Sequence, residues 1–318
     1  MMNGGNSMKI LVFGIGGIGG FVGGALARVH EETYFYARGK SLEAIKARGL
    51  QVDSKILGTF TVHPKRVSHD PAELGRMDVI ILSCKGNGLE EACRDMAPMI
   101  DENTVVMPLL NGVLVSELME KWLPPCYIAD GTIRVFSHLE GPGMVQQTAA
   151  DGKIVMGMKK GPVPKALKET AALLNRGGIP AEVTDDICLA SWEKYALMGT
   201  NSCLFCYFDG PVGKVRSSKE YEAAVHGAER EVISVAKSKG VHFPKNYEDF
   251  YVHIFESLPE DTITSLYRDL DSGKKADDTE AHMILGRMVE MGKEMGIPVP
   301  YFAKAYERAL EKAAKNNP

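Results

Sequence analysis

The first half of the chain alternates short apolar runs with amphipathic stretches. The apolar runs are β-rich and predict buried strands at 9–13, 33–37, 78–83 and 104–109. The stretches that follow them predict helices at 21–30, 41–48, 89–99 and 113–122. Strands and helices in alternation indicate a parallel sheet with crossover helices. From 127 to 157, β-rich pieces broken by Gly-Pro-Gly at 141–143 predict antiparallel hairpins that finish this sheet.

After Pro162 the pattern changes to helical periodicity, and strand signals nearly vanish. Helices are predicted at 166–175, 187–208, 220–239 and 279–295, with Gly240 and Gly296 as C-caps of the last two. Thr184-Asp185-Asp186 offers an N-cap to the helix that starts at 187. We therefore expect two domains, 1–184 and 185–318. The predicted fold is α/β, with an N-terminal doubly wound sheet and an all-helical C-terminal domain.

The composition is that of an ordinary globular protein, with 45% hydrophobic and 25% charged residues among 318. A net charge of −4 gives no reason to expect a nucleic acid or an anionic membrane as a partner. No apolar stretch is long enough to span a bilayer. Residues 1–7 are polar and glycine-rich without a signal pattern, so we expect a floppy extension and a cytoplasmic protein.

Six cysteines are scattered through apolar stretches, which favours reduced thiols over disulfides. Cys203 and Cys206 form a lone C-x-x-C within an apolar helical segment. A metal site needs two further ligands at matching spacing, and the sequence offers none. We therefore predict a structural role for this pair and no metal.

A glycine motif, G-x-G-x-x-G, lies between the first predicted strand and the first predicted helix. Its residues are Gly14, Ile15, Gly16, Gly17, Ile18 and Gly19. Glycines in this context let the backbone turn tightly and approach a pyrophosphate, while the helix N-terminus offers free N–H groups. The motif predicts that a dinucleotide binds here, in a Rossmann-type domain.

The end of the second predicted strand indicates which dinucleotide is bound. An NAD enzyme usually has a carboxylate there for the ribose hydroxyls. This chain has Arg38 and Lys40 and no carboxylate between 36 and 40. Arg38 can pair with a 2′-phosphate and Lys40 adds a second positive charge, which favours NADP.

Three polar residues follow predicted strands or lie on the long helix. Lys85 and Asn111 come after the strands at 78–83 and 104–109, where ligands of open α/β sheets bind. Lys194 lies on the helix at 187–208. Taken singly, each has an ordinary alternative as a solvated lysine or a turn asparagine.

Taken together, these features resemble the ketopantoate reductase family over nearly the whole chain. The matching residues are the glycine loop, Ala37-Arg38-Gly39, Lys85, Asn111-Gly112, Trp192-x-Lys194, Ser265 with Asp269-Leu270, and the closing segment 296–300. The resemblance implies reduction of 2-dehydropantoate to pantoate in pantothenate biosynthesis, with NADPH as the hydride donor.

The resemblance also implies roles for individual residues. Lys194 would be the general acid, and Ser265 would hydrogen-bond the substrate. Asn111 would contact both cofactor and substrate, while Lys85 would contact the cofactor. Asp277 aligns with a family glutamate on the cofactor side.

The chain departs from the family among the residues expected to line the substrate. The family's asparagines four and eight residues after the lysine are replaced by Met198 and Ser202. Asn201, seven residues on, lies within about 20° of Lys194 around a helix, so we hypothesise that it supplies a shifted amide. The usual Asn-Gly-Glu after this helix reads Val212-Gly213-Lys214.

These departures leave several functions open. A relative acting on another branched or bulky 2-oxo acid is the main alternative. A 6-phosphogluconate-type or opine-type dehydrogenase shares the general plan but not this combination of Lys85, Asn111 and Lys194. A non-catalytic NADP-binding sensor would explain the lost polar residues but not the retained Lys194. The helical domain is also compatible with a homodimer.

Overall fold

The structure is a computed structural model that describes residues 7–113 and 115–315, so most of the predicted extension at 1–7 lies outside it. The strands are β1 Ile10–Phe13, β2 Thr33–Tyr36, β3 Leu50–Ser54, β4 Gly58–Val62, β5 Arg66–Ser68, β6 Val79–Leu82, β7 Val105–Pro108, β8 Tyr127–Ile128, β9 Asp130–Ile133, β10 Phe136–Gly141, β11 Met144–Ala149, β12 Ile154–Gly157 and β13 Ala181–Val183. The helices are α1 Gly17–Ala27, α2 Gly39–Arg48, α3 Pro71–Leu74, α4 Leu89–Met96, α5 Val115–Met119, α6 Lys165–Arg176, α7 Ile187–Phe208, α8 Val212–Arg216, α9 Tyr221–Ser238, α10 Tyr247–Ser257, α11 Ser265–Asp271, α12 Arg287–Met295 and α13 Pro300–Lys315.

The main sheet has six strands in the order β5-β2-β1-β6-β7-β8. Every neighbouring pair in it is parallel. The strands β1, β2, β6 and β7 are buried along their whole length, as expected for a sheet covered on both faces. The chain starts at the centre of the sheet and winds first to one side and then to the other. The predicted Rossmann-type sheet is therefore confirmed.

The prediction that hairpins between 127 and 157 finish this sheet is wrong. Only β8 joins the main sheet, and it does so in parallel. The hairpin β10–β11 instead forms a second sheet with β3 and β4, in the order β10-β11-β3-β4, and β9, β12 and β13 form a third. The sequence pattern did not predict β3 and β4, whose alternating polar residues offer no continuous apolar run.

The chain divides into two compact units. One comprises residues 7–84, 88–110 and 115–187, and the other comprises Lys85–Asn87, Asn111–Val113 and 188–315. The second unit therefore includes the two short segments that follow β6 and β7. The two-domain boundary at 184 stays a prediction.

The second unit is built from helices in its described residues after 187. The bounds predicted for α7 match the structure, and α9 agrees to within one residue at each end. The predicted helix at 279–295 contains a π-helical segment, His282–Gly286, before α12 begins. Gly296 ends α12 in the left-handed conformation, with φ +65°, as predicted. The helices α8, α10, α11 and α13 were not predicted. Within the described part of the chain no helix has the length and apolar character needed to cross a bilayer.

A buried carboxyl group lies between α7 and α9. Glu229 is fully buried, and its Oε2 accepts a hydrogen bond of 2.8 Å from the Thr200 hydroxyl. Burial raises the pKa of Glu229 to about 8, although the Thr200 hydrogen bond opposes the shift. The neutral acid is therefore the form that suits the folded protein.

We predict that Glu229→Gln gains stability relative to the wild type as the pH rises from about 4.5 to 8. In this window the folded chain holds a proton that an unfolded glutamate has lost, so the wild type loses stability and the uncharged variant does not. A difference on the order of a few kcal/mol at pH 8 is expected. Urea unfolding at several pH values, followed by Trp192 in a Trp122→Phe background, measures it. Glu222→Gln, at an exposed position of the same helix, is the control, and a pH-independent difference for Glu229→Gln would contradict the assignment.

Candidate functional site

The glycine loop joins β1 to α1. Gly14 has φ +94°, a conformation that side chains other than glycine rarely adopt. Its N–H donates to the Tyr36 carbonyl at 3.0 Å, and its carbonyl accepts from the Ser83 hydroxyl at 2.7 Å. The loop is therefore fixed to the ends of β2 and β6, the two strands that flank β1 in the sheet.

The other glycines of the motif differ in what surrounds them. A Cβ at Gly19 would collide with the Gly14 carbonyl, and one at Gly17 would collide with the Ser137 carbonyl of β10. A Cβ at Gly16 would meet nothing within 4 Å. Gly17 and Gly19 are thus required by packing within the protein, whereas the space beside Gly16 is open to a ligand.

The N-terminus of α1 suits an anion. Gly16 is the N-cap and makes no side-chain capping bond, and the first turn contains no acidic residue. The first N–H groups of a helix have no partner within the helix and carry a partial positive charge. Ile15 is buried and Ile18 is half-buried, and both pack with the apolar core of the first unit.

Arg38 and Lys40 follow β2, and both are exposed. The Arg38 Nη1 lies 2.8 Å from the Glu91 carboxylate, and Nη2 pairs with Asp95. Its Nε donates to the Tyr36 hydroxyl at 3.3 Å. Arg38, which is predicted to bind the 2′-phosphate, is therefore paired with two carboxylates of α4. Neither carboxylate was predicted from the sequence to lie there.

Lys194 lies in the second turn of α7 and is partly exposed. Burial of the ammonium group lowers its pKa to about 8, and the Glu280 carboxylate raises the pKa part of the way back. Lys194 is therefore a cation that can lose its proton near neutral pH. A lysine of this kind can act as an acid or a base in catalysis.

Glu280 links Lys194 to Asn111. The Asn111 amide donates to the Glu280 carboxylate at 3.0 Å, and Glu280 also acts electrostatically on Lys194. Glu280 is not among the residues predicted from the sequence. The predicted residue, Asp277, is exposed, and its backbone carbonyl accepts from the Asn87 amide. The available signal was Thr279 as a capping residue: its hydroxyl accepts from the Ala281 N–H, so Glu280 lies directly before the helical residues that begin at 281.

Lys85 has a carboxylate partner of its own. Its Nζ lies 3.1 Å from Asp269 of α11. Burial alone would raise the pKa of Asp269, but Lys274 and Lys85 lower it below its usual value. The glycines after Lys85 and Asn111 pack closely against the π-helical segment. A Cβ atom at Gly86 or at Gly112 would lie within about 3 Å of Met283.

The predicted substrate residues are not all alike in the structure. Met198 and Asn201 are half-buried, and Asn201 Oδ1 accepts from the Tyr251 hydroxyl at 2.7 Å. Ser202 is fully buried, and its hydroxyl has no hydrogen-bond partner within the described residues. Ser265 is exposed at the start of α11, and Val212 is fully buried.

The cysteine pair of α7 is buried. Burial raises the pKa of Cys203 well above its usual value and that of Cys206 to about 12, so neither thiol is poised to react. All six cysteines are free. No cluster of three or more metal-ligating side chains occurs in residues 7–113 and 115–315.

A parallel sheet in this strand order, with a glycine loop after its central strand, defines a dinucleotide-binding protein. The family model described as ketopantoate reductase PanE/ApbA matches residues 10–161. The model described as ketopantoate reductase PanE/ApbA C terminal matches residues 186–313. The chain belongs to the ketopantoate reductase family, a family of NAD(P)-dependent oxidoreductases that act on small molecules. The resemblance inferred from the sequence motifs is confirmed.

Individual relatives are similar over nearly their whole length. The uncharacterized oxidoreductase YkpB of Bacillus subtilis is 26% identical over 304 residues, which cover 94% of this chain and 97% of that protein. The 2-dehydropantoate 2-reductase of Pyrococcus horikoshii is 26% identical over 294 residues, covering 92% and 93%. The solved structure of D-mandelate dehydrogenase with NADH and anilino(oxo)acetate has the same fold, with a TM-score of 0.85 at 24% identity over 98% of this chain and 99% of that one.

The contrast between Gly19 and Gly16 gives a test of the glycine loop. We predict that Gly19→Ala destabilises the fold by about 1–3 kcal/mol or more, because the added methyl overlaps backbone. Gly16→Ala should leave stability within about 1 kcal/mol and weaken dinucleotide binding about tenfold or more, because its methyl occupies the open space. Thermal unfolding and fluorescence titration with NADPH measure the two effects. Equal loss of stability in both variants would contradict this division of roles.

Proposed function

We propose that the protein is an NADPH-dependent reductase of a 2-oxo acid, with 2-dehydropantoate as the first candidate and Lys194 as the general acid. The observation that carries this proposal is the Lys194 ammonium group, whose pKa is lowered by burial and partly restored by Glu280. A non-catalytic protein has no need of a lysine in this state. Membership of the ketopantoate reductase family gives the reaction class.

The residues of the glycine loop fit a dinucleotide. The open space beside Gly16 and the uncapped N-terminus of α1 suit a pyrophosphate. Arg38 and Lys40 are the cations available for the 2′-phosphate that distinguishes NADP. We assign Lys85 and Asn111 to the nicotinamide half, as the family resemblance implies. When bound, NADPH supplies the hydride that reduces the ketone carbon.

Lys194 completes the reduction by supplying a proton. Its ammonium group donates a hydrogen bond to the substrate carbonyl oxygen and so draws electron density from the carbonyl carbon. As the carbon gains its hydride, the oxygen becomes an alkoxide and takes a proton from Lys194, giving the 2-hydroxy acid. The neutral amine then regains a proton from solvent. A pKa of about 8 keeps most of the lysine protonated at neutral pH while making its proton easier to transfer.

Glu280 has two roles in this scheme, in place of the Asp277 suggested by alignment. Its negative charge keeps the pKa of Lys194 from falling further. Its carboxylate also accepts from the Asn111 amide, which fixes the orientation of a side chain proposed to contact cofactor and substrate. Asp277, being exposed, has neither connection among its described contacts.

The residues proposed to contact the substrate come from α7 and α11. Ser265 and Asn201 remain the proposed polar contacts to the substrate, whereas Met198 makes the proposed substrate site more apolar. The replaced asparagines favour, as a second candidate, a bulkier or more apolar 2-oxo acid than 2-dehydropantoate. A site that loses hydrogen-bond donors loses discrimination for polar substrates.

We expect purified protein to oxidise NADPH in the presence of 2-dehydropantoate or a bulkier 2-oxo acid. Lys194→Ala should lower kcat by about 10²-fold or more, the contribution typical of a general acid, with NADPH affinity unchanged. Loss of NADPH absorbance across a panel of 2-oxo acids measures the rates. In the same panel Asn201→Ala should raise the KM for the 2-oxo acid. Unchanged kinetics would contradict the proposed contact between Asn201 and the substrate.

The panel separates the candidate functions. Turnover of 2-dehydropantoate alone supports the first candidate, and turnover of another acid alone supports a changed specificity. NADPH binding without turnover of any acid would contradict the enzyme assignment and favour an NADP-binding sensor. Lys293→Ala, at an exposed position of α12, is a matched control that should keep the wild-type rate.

The link between Glu280 and Lys194 predicts a shift in the pH profile. The general acid must be protonated, so the wild-type rate of reduction should fall as the pH rises above about 8. In Glu280→Gln the charge that raises the pKa of Lys194 is gone, so this fall should begin at lower pH. Asp277→Asn is the control, because it removes an equal charge from an exposed position nearby in the sequence. A shift in Asp277→Asn and not in Glu280→Gln would reverse the assignment.

A further inference from the structure

The cationic group proposed for the 2′-phosphate is already bound by the protein. Arg38 is exposed and uses three of its nitrogens: Nη1 for Glu91, Nη2 for Asp95 and Nε for the Tyr36 hydroxyl. The Tyr36 hydroxyl itself donates to Asp95 at 2.9 Å. The Arg38 guanidinium also lies over the Tyr36 ring, 5.5 Å from its centroid. These contacts hold the guanidinium at α4.

The location of this network makes it relevant to the dinucleotide. The carbonyl of Tyr36 accepts from the Gly14 N–H, so the strand end that carries Arg38 is bonded to the glycine loop. The adenosine ribose of a dinucleotide lies at this strand end in Rossmann-type domains. A 2′-phosphate would therefore approach Arg38 where Glu91 and Asp95 already pair with it.

The local charge balance differs from that of a dedicated 2′-phosphate site. Arg38 contributes one positive charge, and its two carboxylate partners contribute two negative charges. Lys40, which is exposed, brings the sum to zero. A phosphate gains less from a guanidinium that two carboxylates neutralise, and it is also repelled by them. The ribose hydroxyl of NADH meets neither penalty.

We propose that Glu91 and Asp95 compete with the 2′-phosphate for Arg38 and thereby limit the selectivity of this protein for NADPH over NADH. This inference rests on the proposed function, because it takes the glycine loop as the dinucleotide site. Glu91 and Asp95 affect selectivity because they pair with Arg38, and they have no role in hydride or proton transfer.

The test compares dissociation constants of NADPH and NADH for the full-length protein, measured by nucleotide fluorescence at one ionic strength. In the double variant Glu91→Gln, Asp95→Asn, NADPH should bind about tenfold more tightly, as two exposed ion pairs no longer compete. NADH affinity should change less than twofold. In an Arg38→Gln background the same double change should raise NADPH affinity by less than about threefold.

Glu90→Gln is the matched control. Glu90 is on the same helix, but its carboxylate pairs with Arg94, so its loss should leave both affinities unchanged. An unchanged ratio of the two dissociation constants in the double variant would overturn the inference while leaving the proposed function intact. Failure of the wild type to bind either nucleotide would overturn the proposed function, and the inference with it. Because all three carboxylates are at the surface, thermal unfolding should confirm that each variant is folded.

Discussion

A lysine ammonium group enclosed by protein loses much of its hydration, and a nearby carboxylate restores part of its stability. In this chain the lysine is Lys194 and the carboxylate is Glu280. The carboxylate also accepts a hydrogen bond from the Asn111 amide, so one side chain influences both the charge of Lys194 on α7 and the orientation of a residue that follows β7. The remainder of the proposed chemistry depends on this balance between burial and compensation. Less burial would leave the pKa of Lys194 nearer to that of an ordinary lysine, and loss of the carboxylate would lower this pKa further.

The glycines of the loop have two different roles, since some are required for packing within the protein and one leaves space for a ligand. Gly14, Gly17 and Gly19 are required by backbone conformation or close approach, and only Gly16 leaves open space. The motif therefore combines a folding constraint with a binding one. The charge at the end of β2 is likewise shared, because Arg38 is both a candidate phosphate ligand and the partner of two carboxylates on α4.

The local sequence pattern was sufficient to predict an element wherever a single hydrophobic periodicity dominated the segment. The run at 9–13, the glycines after it and the long apolar helix at 187–208 all appear in the structure close to their predicted bounds. The small second sheet was missed because the alternating polar residues of β3 and β4 leave no continuous apolar run. Glu280 was not predicted because its contact with Asn111 joins residues that are far apart in the sequence and becomes visible only in the folded chain. The carboxylates around Arg38 come from a helix more than 50 residues away, and that proximity becomes visible only in the folded chain.

The pKa of Lys194 is the quantity on which its proposed role as the general acid depends most directly. Titration of the folded protein labelled with ¹³C and ¹⁵N at the lysine side chains, with Lys194→Arg to assign the signal, measures it by NMR. We expect one lysine that titrates near pH 8 and whose signal is missing from the Lys194→Arg spectrum. Titration of Lys194 with the other lysines, near the usual value of about 10.4, would contradict it.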